Sequence, residues 1–313
     1  MSRFSCARSS RGVASFAVAA IALACAISGA HAQTKGKVPP PKEVSFHTAD
    51  GVEIAALYYA QERGKESMPV ILLHELGGAG ADFKGLAQFL QEEGFVVLVP
   101  DLRGHGGSTT VRGARDKLDH TKMPPKQLHN IYVQGGDIDA CLDFLREENN
   151  LEKLNVDKLC IVGAGLGGIL AMNWAIVDWG RPVFTGGRTL GRNVKGIAML
   201  SPPFAEKSVN VNTALRAAPI LKQLAIYIAA GESGKPLDDA KKIHKPIHLA
   251  RDVKEGEEVE KGVLLQTFKT NRQGAQLLMA SDLKMPERIV DFFKRTVGKR
   301  DLPWKERKDP VRD

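Results

Sequence analysis

Lys158-Leu159-Cys160-Ile161-Val162-Gly163-Ala164-Gly165-Leu166-Gly167-Gly168 decides how the rest of this 313-residue chain is read. An apolar run followed by crowded glycines predicts a short buried strand, a sharp turn and a helix beginning at Leu166. Two chemistries use that arrangement. In G-x-S-x-G a nucleophile stands on a strained turn between strand and helix. In G-x-G-x-x-G the glycines let the backbone approach a pyrophosphate. Gly163, Gly165 and Gly168 fit the second pattern literally. Gly163, Gly165 and Gly167 fit the first except at its centre, where Gly165 stands in place of the nucleophile.

The flanking sequence supplies the context. Glu43–Thr48 and Glu53–Tyr59 alternate apolar and polar residues around Ala49-Asp50-Gly51, which predicts a β-hairpin. Pro69–Leu73 and Phe95–Val99 are continuous apolar runs, as expected of strands buried on both faces. Between them Phe83, Leu86, Phe89 and Leu90 recur at helical spacing, and Gly94 ends the helix. Thr109 to Asn130 is polar and reads as a long surface excursion. Ile138, Cys141, Leu142 and Leu145 mark another amphipathic helix. Beyond the glycine turn, Asp178 to Lys195 reads as loop. Strands are predicted at Gly196–Leu200, Leu224–Ala230 and Val263–Phe268, with helices at Asp238–His244 and Pro286–Val297. Strands alternating with helices predict an α/β fold: a mostly parallel, doubly wound sheet covered by helices on both faces, with an N-terminal antiparallel hairpin.

The two ends read differently. Arg3, Arg8 and Arg11 precede an apolar run from Val13 to Ile27, and Ala30-His31-Ala32 is an A-x-A cleavage site. Residues 1–32 therefore read as a signal peptide cleaved after Ala32, giving export to a periplasm or the exterior and no membrane span afterwards. A lipoprotein anchored at Cys25 is the weaker alternative, because Ala22 stands where leucine is usual. Residues 33–41 form a Lys/Pro linker, 42–298 a single domain, and 299–313 a charged, frayed tail. Cys141 and Cys160 remain after cleavage and read as buried free thiols. No Cys/His cluster has metal-ligand spacing, and no metal or cofactor is expected. The formal charge of +8 is spread among interleaved acids, and three of those charges leave with the signal. That argues for solubility, not for a nucleic-acid surface. The partner is left as an unidentified small molecule or protein.

Leu73-His74-Glu75-Leu76-Gly77-Gly78 resembles the oxyanion-loop motif of the α/β-hydrolase superfamily, usually HG-x-G. Asp101-Leu102-Arg103-Gly104-His105-Gly106-Gly107-Ser108 resembles that family's D-x-R-G-x-G-x-S loop, and the glycine turn follows where its nucleophile elbow would fall. The dinucleotide reading, through Gly163, Gly165 and Gly168, lacks the acid at the end of the following strand, which runs into Leu200-Ser201-Pro202.

The resemblance implies a catalytic triad and an oxyanion hole built from backbone N–H groups, here those of Leu76 and Leu166. It also exposes what is missing. Gly165 takes the nucleophile position, Ser233 or Gly234 the acid position, and Gln273 the base position, within Gln273-Gly274-Ala275-Gln276-Leu277-Leu278. Glu75 replaces a glycine, where its carboxylate would oppose a developing oxyanion unless it faces solvent or pairs with an arginine such as Arg103. His74 and His105 read as structural loop residues, His244 and His248 as surface residues, and Trp174 and Trp179 as packing. Ser108 and Ser201 read as hydrogen-bonded turn residues. The expectation is an exported α/β-hydrolase-like binding or scaffolding module without a triad. The alternatives are a serine-type ester or acyl hydrolase with a displaced site, using Glu75, Asp101 or the Thr109–Asn130 loop, and a dinucleotide-binding protein.

Overall fold

The computed structural model describes residues 38–182, 190–232 and 234–307. The signal segment with Cys25, most of the linker and Ser233 lie outside the described residues.

The apolar runs become the centre of an eight-stranded sheet. Its strands are β1 (Lys42–His47), β2 (Glu53–Tyr59), β3 (Met68–Leu73), β4 (Phe95–Pro100), β5 (Leu159–Ala164), β6 (Val194–Leu200), β9 (Ala225–Gly231) and β10 (Val263–Phe268). Two-residue strands β7 (Ala205–Glu206) and β8 (Val209–Asn210) form a separate small ribbon. The order across the sheet is β1-β2-β4-β3-β5-β6-β9-β10. Strands β4, β3, β5, β6, β9 and β10 are parallel; at one edge β2 pairs antiparallel with β4, and β1 pairs antiparallel with β2. Every residue of β3, β4, β5, β6 and β9 is buried, which is why these strands show no alternation in sequence.

Helices cover both faces. The helices are α1 (Lys84–Glu92), α2 (Pro125–Asn130), α3 (Asp137–Asn150), α4 (Leu166–Trp179), α5 (Gly234–Ala250) and α6 (Met285–Thr296). One core packs α3 and α4 against Ile71, Ile161 and Met199, with Trp174 fully buried at its centre. The other packs α1 and α6 against Val70, Val162 and Tyr227. Burying one such large side chain contributes about 1.5–3 kcal/mol, so the sheet is held from both sides. Among the described residues no helix is long and apolar enough to cross a membrane.

Three segments differ from expectation. The helix expected over Asp238–His244 runs from Gly234 to Ala250 and passes through Pro246. A proline ordinarily ends a helix; here Ile243 and Ile247, both buried, hold the turns on either side of it. The excursion after Thr109 is anchored: Val111 bridges to Val52, and α2 forms within it. Residues 299–307, expected to fray, lie against the base of the sheet. Asn155 Nδ2 donates to Leu302 O at 2.9 Å, and Asn149 Nδ2 to Lys305 O at 3.0 Å. Trp304 Nε1 donates to Asn149 O at 3.3 Å, and the Lys65 ammonium lies 4.2 Å from its ring centre.

Candidate functional site

Strand β5 ends at Ala164, and Gly165 turns the chain into α4 with φ 48° and ψ −120°. That left-handed conformation strains any residue carrying a Cβ. The neighbouring glycines answer to packing. A Cβ on Gly163 would stand 2.4 Å from the Gly167 carbonyl carbon, and one on Gly167 would stand 2.2 Å from Leu73 O. Helix α4 thus sits nearly on the backbone of β3 and β5, which accounts for the glycine pattern without a nucleotide.

The loop after β3, which resembles an oxyanion loop in sequence, brings Glu75 to this turn. A Cβ added to Gly165 would stand 2.9 Å from Glu75 Cβ and 3.0 Å from its Oε2. On the other side, a Cβ on Gly274 would stand 2.4 Å from the same Oε2. The carboxylate is therefore wedged between two glycines of positive φ, one on the elbow and one on the loop after β10. Glu75 Oε1 accepts from Ala275 N at 3.4 Å. Burial raises its pKa, Asp82 and Glu206 push the same way, and the Ala275 N–H opposes them. Glu75 does not pair with Arg103, as one expectation had it, nor is it turned out to solvent. The backbone N–H groups of Leu76 and Leu166 donate to no protein acceptor among the described residues.

Gln273 lies beside this group. Its Oε1 accepts from Ser201 Oγ at 2.6 Å and from Gly231 N at 3.3 Å, while its Nε2 is buried without a partner. Ser201, at the end of β6, has φ 48°. Gly234 opens α5 with φ 67°, and Glu232 Oε1 accepts from Thr267 Oγ1 at 3.0 Å instead of facing Gln273. The structure thus gathers Gly165, Glu75, Gly274, Gln273 and Ser201 at the strand ends. Asp101 is held in its own loop, accepting from Gly80 N at 2.8 Å and Gly107 N at 2.9 Å. Ser108 is a turn residue: its Oγ donates to Asp101 O and accepts from Ala55 N. Trp174 donates to Asp139, Trp179 donates to Val194 O, and both pack. His244, expected at the surface, is half-buried, and burial lowers its pKa to about 4. Among the described residues no three His, Cys, Asp or Glu side chains converge as metal ligands.

The sequence did not reveal that Glu75 inserts between Gly165 and Gly274, or that Gln273 holds Ser201. One signal was available: a glycine exchanged for glutamate in one loop and a nucleophile exchanged for glycine in another are complementary changes of volume.

His74 and His105 hold the loop after β3 in place. His74 Nδ1 donates to Glu75 O at 2.8 Å, and its Nε2 accepts from Leu102 N at 2.9 Å. His105 Nδ1 donates to Arg103 O at 3.0 Å, and its Nε2 accepts from Gly77 N at 3.0 Å. Both nitrogens of each ring are committed, so both rings are neutral. Their centres lie 4.7 Å apart, and His120 stacks on His105 at 4.3 Å. Burial lowers both pKa values, that of His105 to about 4, with His74 adding repulsion.

An unfolded histidine titrates near 6.5, so between about pH 6.5 and 4 the unfolded chain binds protons that the fold refuses. Stability is expected to fall as pH drops through that window, by up to about 1.4 kcal/mol per pH unit from His105, with His74 acting in the same direction. Glu75 acts the other way, since a raised carboxyl pKa favours the fold at acid pH. Urea unfolding from pH 4 to 7 measures the net slope. His105→Gln should flatten it, and an unchanged slope in that variant would assign the protons elsewhere.

The comparisons with known proteins agree with this architecture. A family model described as alpha/beta hydrolase fold matches residues 68–222. The chain is an α/β-hydrolase-fold protein. Among solved structures, an esterase from Pyrococcus furiosus superposes with a TM-score of 0.57 at 17% identity, covering 83% of this chain and 92% of its own. An alpha/beta hydrolase from Penicillium sp. superposes at 0.54 and 13% identity, covering 83% of this chain and 100% of its own. An esterase from Exiguobacterium antarcticum superposes at 0.51 and 15% identity, covering 81% and 100%. Identities this low establish a shared fold only.

Proposed function

We propose that this α/β-hydrolase-fold protein forms no acyl-enzyme and acts by binding a small molecule or a protein at the strand ends. The observation that carries the reading is the Glu75 carboxylate standing beside Gly165, where a nucleophile would project. Gln273 supports it from the base position, because an amide oxygen accepts a hydrogen bond but takes no proton at neutral pH. A serine-directed fluorophosphonate is expected to leave the protein unlabelled, and p-nitrophenyl esters to be turned over no faster than in buffer. Stoichiometric labelling at Ser108, Ser201 or Ser233 would overturn the reading.

A second reading, ester or acyl hydrolysis from a displaced site, is favoured by the esterases among the structural neighbours and by the same carboxylate. Burial raises the Glu75 pKa, and the Leu76 and Leu166 N–H groups are free to hold an oxyanion. Glu75 would take a proton from an attacking water and return it to the leaving alcohol. Ester turnover abolished by Glu75→Gln, with no fluorophosphonate label, would select this reading over the first.

We also propose export with cleavage after Ala32. The support is the run from Arg3 to Ala32 in the sequence. N-terminal sequencing of the processed protein should begin at Gln33, and an intact Met1 on a cytoplasmic product would sink the proposal.

A further inference from the structure

A cavity lies away from Gly165, on the face of the sheet that carries α1, between the β1–β2 hairpin and the segment leading into that helix. Its volume is about 690 Å³, within the range that holds a small molecule. The register explains its floor. Glu43 pairs with Leu57 and Ser45 with Ala55 across β1 and β2, and Leu57 pairs with Val99 on β4. These side chains alternate onto one face, while Val44 and Ala56 turn to the α3 side. The walls come from Ala79–Ala81 before α1 and from Gly106–Gly107 after β4.

Close packing against Ala55 and Asp101 fixes the shape. A Cβ on Gly107 would stand 2.7 Å from Ala55 Cβ, and one on Gly106 would stand 2.0 Å from Asp101 Oδ2. The groove is thus built from residues with little or no side chain, packed too closely to admit more. Its lining is mostly aliphatic, and its charged members are both acids: Asp101, held on the wall, and Glu43, exposed at the mouth. No lysine or arginine lines it, although basic residues outnumber acidic ones by 44 to 36 in the chain. The Asp101 oxygens each accept one backbone N–H, Oδ1 from Gly80 and Oδ2 from Gly107, which leaves each oxygen with capacity for a further donor.

We propose that this groove binds a small apolar amine, its hydrocarbon part on Ala55, Leu57 and Val99 and its ammonium between Asp101 and Glu43. The apolar floor supplies the affinity, and the two carboxylates select the sign of the charge.

The test uses the full chain and three matched probes: 2-phenylethylamine, 2-phenylethanol and phenylacetate. Binding is followed by amide chemical shifts and titration calorimetry. The amine should bind saturably, perturb the Ser45, Leu57, Ala81 and Gly107 amides, and outbind the alcohol by about fivefold, with phenylacetate weakest. Glu43→Gln should reduce the amine's advantage without changing the thermal midpoint. Ala81→Trp, at an exposed position on the wall, should abolish binding of all three. Equal binding of amine and alcohol, unsaturable shifts, or binding that survives Ala81→Trp would each overturn the proposal. None of these results depends on what occupies the Glu75 site.

Discussion

Replacing Arg103 with methionine should destabilise the protein by about 3–5 kcal/mol, the cost of leaving a buried charge without its partner. Arg103 is fully buried. Its Nε donates to Asp137 Oδ1 at 2.7 Å, and its backbone N–H donates to Asp137 Oδ2 at 2.8 Å. A second nitrogen donates to Asp50 Oδ2 at 2.7 Å and to Gln127 Oε1 at 2.8 Å. One guanidinium thereby ties together the β1–β2 turn, the loop after β4, α2 and α3. Burial alone would raise the Asp50 carboxyl, but Arg103 and Thr48 outweigh it and hold it at about 2. Burial pushes Asp137 up even with Arg103 beside it.

Without the arginine, Asp137 would be an unpaired carboxylate in a dry site and would take up a proton instead. Its folded pKa would then lie far above the unfolded 3.8, so the variant should gain stability as pH falls and lose it as pH rises. Asp137→Asn added to Arg103→Met should recover part of the loss at neutral pH. Urea midpoints at pH 5 and 8 measure both effects. A loss below about 1 kcal/mol would mean that water or another cation replaces the guanidinium.

Gly165→Ser is expected to destabilise by about 1–3 kcal/mol from backbone strain alone. It also places a Cβ against Glu75, so the penalty should exceed that of the backbone strain by itself. Adding Glu75→Gly removes the collision and should return part of the loss, with a coupling of about 0.5–3 kcal/mol, the range for residues in contact. Neither variant is expected to hydrolyse esters, because Gln273 is no base. Gln273→His and Gly234→Asp would supply the base and its orienting group. Only the variant carrying all four changes should show turnover of an activated ester. Initial rates beside thermal midpoints decide the matter. An unchanged midpoint in Gly165→Ser would mean that the turn is unstrained, and turnover by that single variant would mean that a base other than residue 273 is at work.

The fold was legible because five strands are buried on both faces and write themselves as apolar runs, and because most of them end near glycines or, after β6, at Ser201-Pro202-Pro203, which break the run. Gly165 and Gly234 follow two of these strands, β5 and β9, and Gln273 follows the half-buried β10, so the loops that carry them could be placed from the sequence. The length of α5 was hidden by Pro246, whose ordinary effect on a helix was overridden by burial of Ile247. The docking of residues 299–307 was hidden because asparagine-to-carbonyl bonds leave no periodic trace, and a lone Trp304 among charges reads as solvent-facing. The direction of Glu75 could not be read either. Whether a loop carboxylate turns inward depends on space that only the absence of side chains at Gly165 and Gly274, residues far apart in sequence, creates.

The sheet also separates the two thiols. Cys141 belongs to the core on the α3–α4 face and Cys160 to the core on the α1–α6 face, both buried and free. No native path joins them except through the strands themselves. An unfolded chain has no such partition, and the two residues are close in sequence. In an oxidising compartment a bond between them would therefore form only before folding, and would lock out the sheet. On the proposal that the chain is exported, its maturation would depend on β3, β5 and β6 assembling faster than an oxidase finds the pair. The protein's yield should respond to the redox poise of its surroundings even though its finished form contains no disulfide among the described residues.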